Sequence, residues 1–223
     1  MVEWVSPTKF LEADGVEDWR VLNDGASAYF ATGSFAAGAR LVQAIGDLDG
    51  LGPRQPDVDV RHDGVTVRLV TVTGDRFGVS ERDVELARQI SGIARELGAT
   101  PDPSALQAVQ VAIDAMSHPE VMAFWRAVLG YEYRDNERED LMDLRGRGPF
   151  FWFQQMDEPR PQRNRIHIDV WVPPEVAEAR VAAALAAGGR LVRDESASGW
   201  WTLADPEGNE VDVAAWHESR DGG

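Results

Sequence analysis

The chain has 223 residues, 43% of them hydrophobic and 27% charged, enough apolar material for one large or two small globular domains. Its formal net charge of -16 argues against nucleic acid, whose phosphates need a basic face, and against anionic membrane surfaces. The absence of cysteine excludes disulfides, thiolate nucleophiles and cysteine-ligated zinc. No apolar run is long enough to cross a bilayer, and the N-terminus has no basic start followed by an apolar stretch, so the expected compartment is the cytoplasm.

Taken in chain order, Ala26 to Thr32 reads as a strand. Phe35, Ala39, Val42 and Ile45 then recur at helical spacing. The stretch Arg54 to Asp75 reads as two strands around a tight turn that carries His62. Within it Val65, Val67 and Leu69 alternate with Thr66, Arg68 and Val70. Ser80, three residues before Asp83, starts a second helix in the manner of a capping box, and Gly98 ends it. The expected arrangement is α+β, an antiparallel sheet with helices on one face. The stretch Gly98 to Ala105, with two prolines, a glycine and small polar residues, marks a linker at 99–105.

After the linker an order of strand, helix, Gly-marked turn and short strands occurs twice, as two βαβββ units. The first runs through QVAIDAMSHPEVMAFWRAVLGYEY to FFWFQQM. The second runs from HIDVWV to NEVDVAA, and the polar stretch Asp157 to Asn164 joins them. In every strand one parity is apolar and the other polar or aromatic, as in a curved sheet with helices on one side and a cup on the other. Gln110, Ala112 and Asp114 share the polar face of one strand, and His167, Asp169 and Trp171 that of another. Asp212 and Glu210 oppose Val211 and Val213. Trp125, on the helix, is expected in the core. Trp152, Trp171 and one of the pair Trp200 and Trp201 have cup-facing parity, which suits a flat aromatic or cationic ligand.

Two resemblances add to this reading. The stretches GVEDWRVL, SFAAGARLVQAIGDL, QPDVDVRHDGVTVRLVT and SERDVELARQI resemble the pterin-4a-carbinolamine dehydratases over roughly residues 6–97. In that family a His-His-Pro entry to one strand and a Thr-His end of the next supply the acid and base that expel a 4a-hydroxyl group. The matching positions here are Arg54, Gln55 and Pro56, then Thr71 and Val72. Arginine stays protonated, an amide does not titrate and valine has no proton to give, so the resemblance implies a degenerate site without dehydratase activity. Trp19 matches a family tryptophan near the pterin, and two roles stay open for it: ligand contact and sheet packing.

From Leu106 to about residue 217, FWRAVLGYEY, NRIHIDVWV and DPEGNEVDV resemble the glyoxalase-like branch of the vicinal oxygen chelate superfamily, which includes bleomycin-resistance proteins. The resemblance implies a cup of paired βαβββ units and four metal-ligand positions, here Gln110, Gln154, His167 and Asp212. One imidazole, one carboxylate and two amides form a poor set for a hard divalent metal, so no cofactor is expected, a divalent metal being the alternative. His167 is open to a second role, as a sheet histidine paired with Asp169 or Asp212.

The expected organisation is a dehydratase-like domain at 1–98, a glyoxalase-like domain at 106–217 and a tail at 218–223. The expected function is binding of a small aromatic metabolite or drug through Trp152, Trp171, His167 and Asp169, with Trp19 serving the first domain. The enzyme alternatives are a residual pterin dehydratase, a lyase, and a metal-dependent glyoxalase or dioxygenase. A third reading is a homodimeric scaffold joined through a bare sheet edge.

Overall fold

The computed structural model describes residues 2–22, 25–49, 51, 56–73, 76–134, 140–146, 148–159 and 167–215. It divides into two compact units, Met1–Ala108 and Val109–Gly223.

The first unit contains β1 (Trp4–Val5), α1 (Pro7–Leu11), β2 (Trp19–Leu22), β3 (Gly25–Ala31), α2 (Phe35–Gly46) and β4 (Asp57–Val60). It continues with β5 (Gly64–Leu69), β6 (Thr71–Thr73), β7 (Arg76–Ser80), α3 (Glu81–Glu96) and β8 (Thr100–Pro101). Strands β2-β3-β5-β4 form an antiparallel sheet, β8 adds to β3, and β1-β7-β6 form a separate small sheet. The alternation in β5 buries Val65, Val67 and Leu69 against Phe30, Leu41 and Ile90. This is the α+β arrangement expected.

Three details differ from the sequence expectation. The buried stripe of α2 is Gly38, Leu41 and Ile45, while Phe35 is 62% exposed. The reason is close approach: a Cβ on Gly38 would lie 3.0 Å from Val65 Cγ2 and 3.1 Å from Val60 Cγ1, so the helix turns its glycine to the sheet and rolls Phe35 outward. The strand after the β4–β5 turn does not run on to Val72. It breaks at Val70, and Thr71–Thr73 pairs with β7 in the other sheet. Finally, part of the stretch expected as a linker is structural. Thr100 and Pro101 pair with Ala31 and Phe30, and Asp102 N donates to Tyr29 O at 2.9 Å.

The second unit contains β9 (Gln110–Ala115), α4 (His118–Leu129), β10 (Glu132–Tyr133), β11 (Asp140–Met142) and β12 (Phe150–Gln155). Its second half contains β13 (Ile168–Trp171), α5 (Pro174–Ala186), β14 (Arg190–Glu195), β15 (Trp200–Ala204) and β16 (Glu210–Ala214). The repeat is visible in the topology. One sheet is ordered β10-β11-β12-β9 and the other β13-β16-β15-β14, and in each the first and last strands of the unit in chain order, β9 with β12 and β13 with β16, pair in parallel. Helix α4 ends where Gly130 takes a left-handed conformation at φ 68°, and Arg180 on α5 donates to Val128 O at 3.0 Å. The apolar parity of both sheets, with Phe124, Trp125, Phe151, Phe153, Leu203 and Val211, forms one core.

Candidate functional site

In the first unit the dehydratase-like positions supply no acid or base among the described residues. Val72 sits opposite Phe77 in the small sheet. Thr71 is committed to structure: its hydroxyl donates to Asp83 Oδ2 at 2.6 Å and lies 2.8 Å from Ser80 Oγ. Asp83 also accepts from Ser80 N at 2.7 Å, the capping contact read from the sequence. Arg54 and Gln55 lie outside the described residues. His62, the one histidine in residues 1–108, is at the β4–β5 turn with its side chain 90% exposed beside Asp63. Trp19 is fully buried, its indole N–H donates to Ala87 O at 3.2 Å and Ser91 Oγ at 3.0 Å, and its ring meets Phe30 edge to face. Trp19 thus packs between α3 and the sheet, with no exposed indole surface.

In the second unit the register of three strands assembles a face. Asp169 on β13 lies opposite Asp212 on β16, which lies opposite Thr202 on β15. In the next row Trp171 and Trp200 flank Ala214. Because Ala214 is small, the two indoles close over it and meet edge to face, with centroids 5.5 Å apart and planes at 81°. Trp171 is 58% exposed, so this pair keeps a free aromatic surface.

Beside the indoles a set of chelating side chains gathers. His167 Nε2 is 3.4 Å from Asp169 Oδ1 and 3.7 Å from Asp212 Oδ2, and the three groups offer ligand atoms within 4.8 Å of one another. Trp200 Nε1 donates to Asp212 Oδ2 at 2.9 Å, orienting that carboxylate. Asp212 is 7% exposed, and its Oδ1 is buried with no hydrogen-bond partner among the described residues. One imidazole and two carboxylates are donors of a kind that divalent cations take, and unlike the four positions taken from the resemblance the trio contains no amide; the oxygen of Asp212 nearest His167 is Oδ2, the one that Trp200 also holds.

The first βαβββ half does not reproduce this set. Its parallel pair aligns Ala112 with Trp152 where the second half aligns Asp169 with Asp212. Trp152 therefore stands in the place of Asp212, and Ala112 in that of Asp169. Gln154 is one pleat further along, opposite Asp114, and both Gln110 and Gln154 are exposed on the other four-stranded sheet. Trp152 is half-buried, with Asp140 as its cross-strand neighbour. Asp140 accepts from Arg134 at 2.8 Å, and the Arg134 guanidinium lies over Phe150 at 5.6 Å. Sequence reasoning assigned one of Trp200 and Trp201 to the cup without choosing. Trp201 is core, 6% exposed, and Trp200 is the partner of Trp171. Trp216 lies outside the described residues.

The DPEGN motif has a structural explanation. Asp205, 1% exposed, accepts from Trp125 Nε1 at 3.0 Å, from Glu207 N and Asn209 N at 2.9 Å each, and from Asn209 Nδ2 at 2.7 Å. Glu207 then accepts from Met116 N and Ser117 N at the start of α4, tying the second repeat to the helix of the first.

Comparison with known proteins agrees with this division. Residues 7–93 match the family model described as pterin 4 alpha carbinolamine dehydratase, and residues 110–214 match the glyoxalase-like domain. A relative from Nocardia farcinica named as a pterin-4-alpha-carbinolamine dehydratase is 35% identical over 78 residues, covering 35% of this chain and 80% of its own. One from Aquifex aeolicus, with the same name, is 29% identical over 86 residues, covering 39% and 85%. Similar solved structures include a glyoxalase/bleomycin resistance protein/dioxygenase family enzyme from Burkholderia phytofirmans (20% identity, TM-score 0.38, 48% of this chain and 97% of that one). A fosfomycin resistance protein from Mesorhizobium loti is another (8% identity, TM-score 0.41, 48% and 90%). The molecule is a two-domain protein. By its first unit it belongs to the pterin-4a-carbinolamine dehydratase family, and its second unit matches the model of the glyoxalase-like domain.

Proposed function

We propose that the protein binds a small aromatic molecule on the Trp171–Trp200 face of its glyoxalase-like unit, and that its dehydratase-like unit is catalytically silent. The observation that carries this reading is the perpendicular indole pair, Trp171 exposed and Trp200 half-buried, beside Asp169, Asp212 and His167. Indoles stack on flat rings, and the adjoining carboxylates disfavour anionic ligands while attracting cationic ones. The silent first unit is supported by Val72, which has no proton to transfer, and by a solitary His62 exposed at a turn. Cytoplasmic residence is part of this proposal; among the described residues no helix is long and apolar enough to cross a membrane.

Titration of tryptophan fluorescence with neutral, cationic and anionic aromatic compounds tests the reading. Trp171→Ala is expected to weaken the best binder by about tenfold, the order expected for a lost stacking contact. Ligands that bind Trp171→Ala and Trp200→Ala as tightly as the parent would sink it.

A second reading is favoured by the chelating trio. His167, Asp169 and Asp212 fit a divalent cation, which when bound would act as a Lewis acid toward a ligand oxygen. In that case Trp200 orients the Asp212 carboxylate, and the indole pair positions the ring of the ligand.

A further inference from the structure

Six consecutive residues, 168–173, line one cavity of about 520 Å³, although their side chains alternate between the two faces of the sheet. Consecutive residues share a cavity in this way when it runs along the edge of their strand. In a parallel ladder the N–H and C=O of one residue point to the same side, and those of the next residue point to the other. Val172 N donates to Ala214 O at 2.9 Å, so the peptide groups of Ile168, Val170 and Val172 face β16. Those of Asp169 and Trp171 therefore face the cavity, and among the described residues β13 has no second strand neighbour. Across the slot stand Val111, Leu129, Tyr131 and Phe151, and Val176 of α5 closes it from the helix side. Pro173, which has no N–H, ends the usable edge.

We propose that this slot binds a small planar molecule bearing a cyclic amide, whose N–H donates to the Asp169 carbonyl and whose C=O accepts from the Trp171 N–H. The two peptide groups are neighbours on one edge, with Val170 turned away between them, so a single cis-amide edge meets both. The apolar part of the wall takes the ring, Asp143 and Arg180 also line the cavity, and the volume lies within the roughly 300–1,000 Å³ of small-molecule sites. The edge is short for an extended peptide, since β13 offers only the N–H and C=O groups of Asp169 and Trp171 before Pro173. The proposal uses backbone groups and the seam of the two repeats, so it does not rest on ligand stacking at the Trp171–Trp200 face or on a metal at His167.

The test uses the full ¹⁵N-labelled chain and the probe 2-quinolone, a planar lactam, against N-methyl-2-quinolone, which lacks the N–H. Saturable binding that moves the Trp171 backbone amide resonance is expected, with the N-methyl compound weaker by about tenfold or more. Val176→Trp, which fills the slot, should abolish binding. Val111→Phe serves the same purpose if the first variant loses its native spectrum. Equal affinity of the two quinolones, no binding at millimolar probe, intact binding by a folded slot-filling variant, or tighter binding of an N-acetyl dipeptide amide would each overturn the proposal.

Discussion

At the scale of single residues, the same amino acid acquires opposite roles through its surroundings. Trp19 and Trp125 are buried with their indole N–H groups satisfied, one by Ala87 O and Ser91 Oγ and the other by Asp205, whereas Trp171 keeps 58% of its surface exposed. Trp19→Ala should therefore destabilise the first unit by about 3–5 kcal/mol in urea unfolding, by cavity formation in the core. Asp205→Ala leaves four donors without their carboxylate and should cost about 3 kcal/mol or more, without altering the indole pair. His167→Ala separates the two readings of the chelating trio. Elemental analysis of the parent after exposure to manganese, iron or zinc should find near one equivalent if the trio holds a cation, and the variant should then lose it.

At the scale of elements, helix α3 shows how far local chemistry reaches. The Ser80–Asp83 cap was legible from the sequence because it depends on residues three apart. That Thr71 from a neighbouring strand joins it was not, since the contact spans twelve positions. Asp83→Ala should lower stability by about 1–3 kcal/mol, more than an isolated cap, because it also frees β6 from α3. Helix α2 gives the converse lesson. Its periodicity is plain, but the direction it faces was set by contact with Val60 and Val65, which put Gly38 inward and Phe35 outward. Gly38→Leu should cost about 1–3 kcal/mol by forcing helix and sheet apart, read as a lower denaturation midpoint.

At the scale of the whole molecule, two separate cores imply two separable folding units. Expressed alone, residues 1–108 and 109–223 should each unfold cooperatively. A fragment ending at residue 98 should be less stable than 1–108 by about 1–2 kcal/mol, because it loses the β3–β8 pairing and the Asp102 N–H to Tyr29 bond. Equal midpoints in circular dichroism melts of the two fragments would show that 99–105 is only a linker. Sedimentation of the full chain tests the homodimeric alternative directly.

The sequence by itself determined the α+β class, the two-part organisation, the repeated βαβββ order and the apolar and polar parity of β9, β12 and β13, though not of β14, which is exposed along its whole length, because these follow from short-range periodicity and turn chemistry. It also determined that Arg54, Gln55 and Val72, at the positions matching the family's histidines, cannot shuttle a proton near neutrality, since residue identity alone decides proton chemistry. Only the tertiary structure decided which residues meet. Strand register, a property of pairs of distant segments, put Asp212 beside Asp169, Trp171 beside Trp200, and Trp152 rather than Gln154 in the place matching Asp212. A shift of two residues keeps side chains on the same face, so parity cannot detect it; hydrogen bonding between strands can.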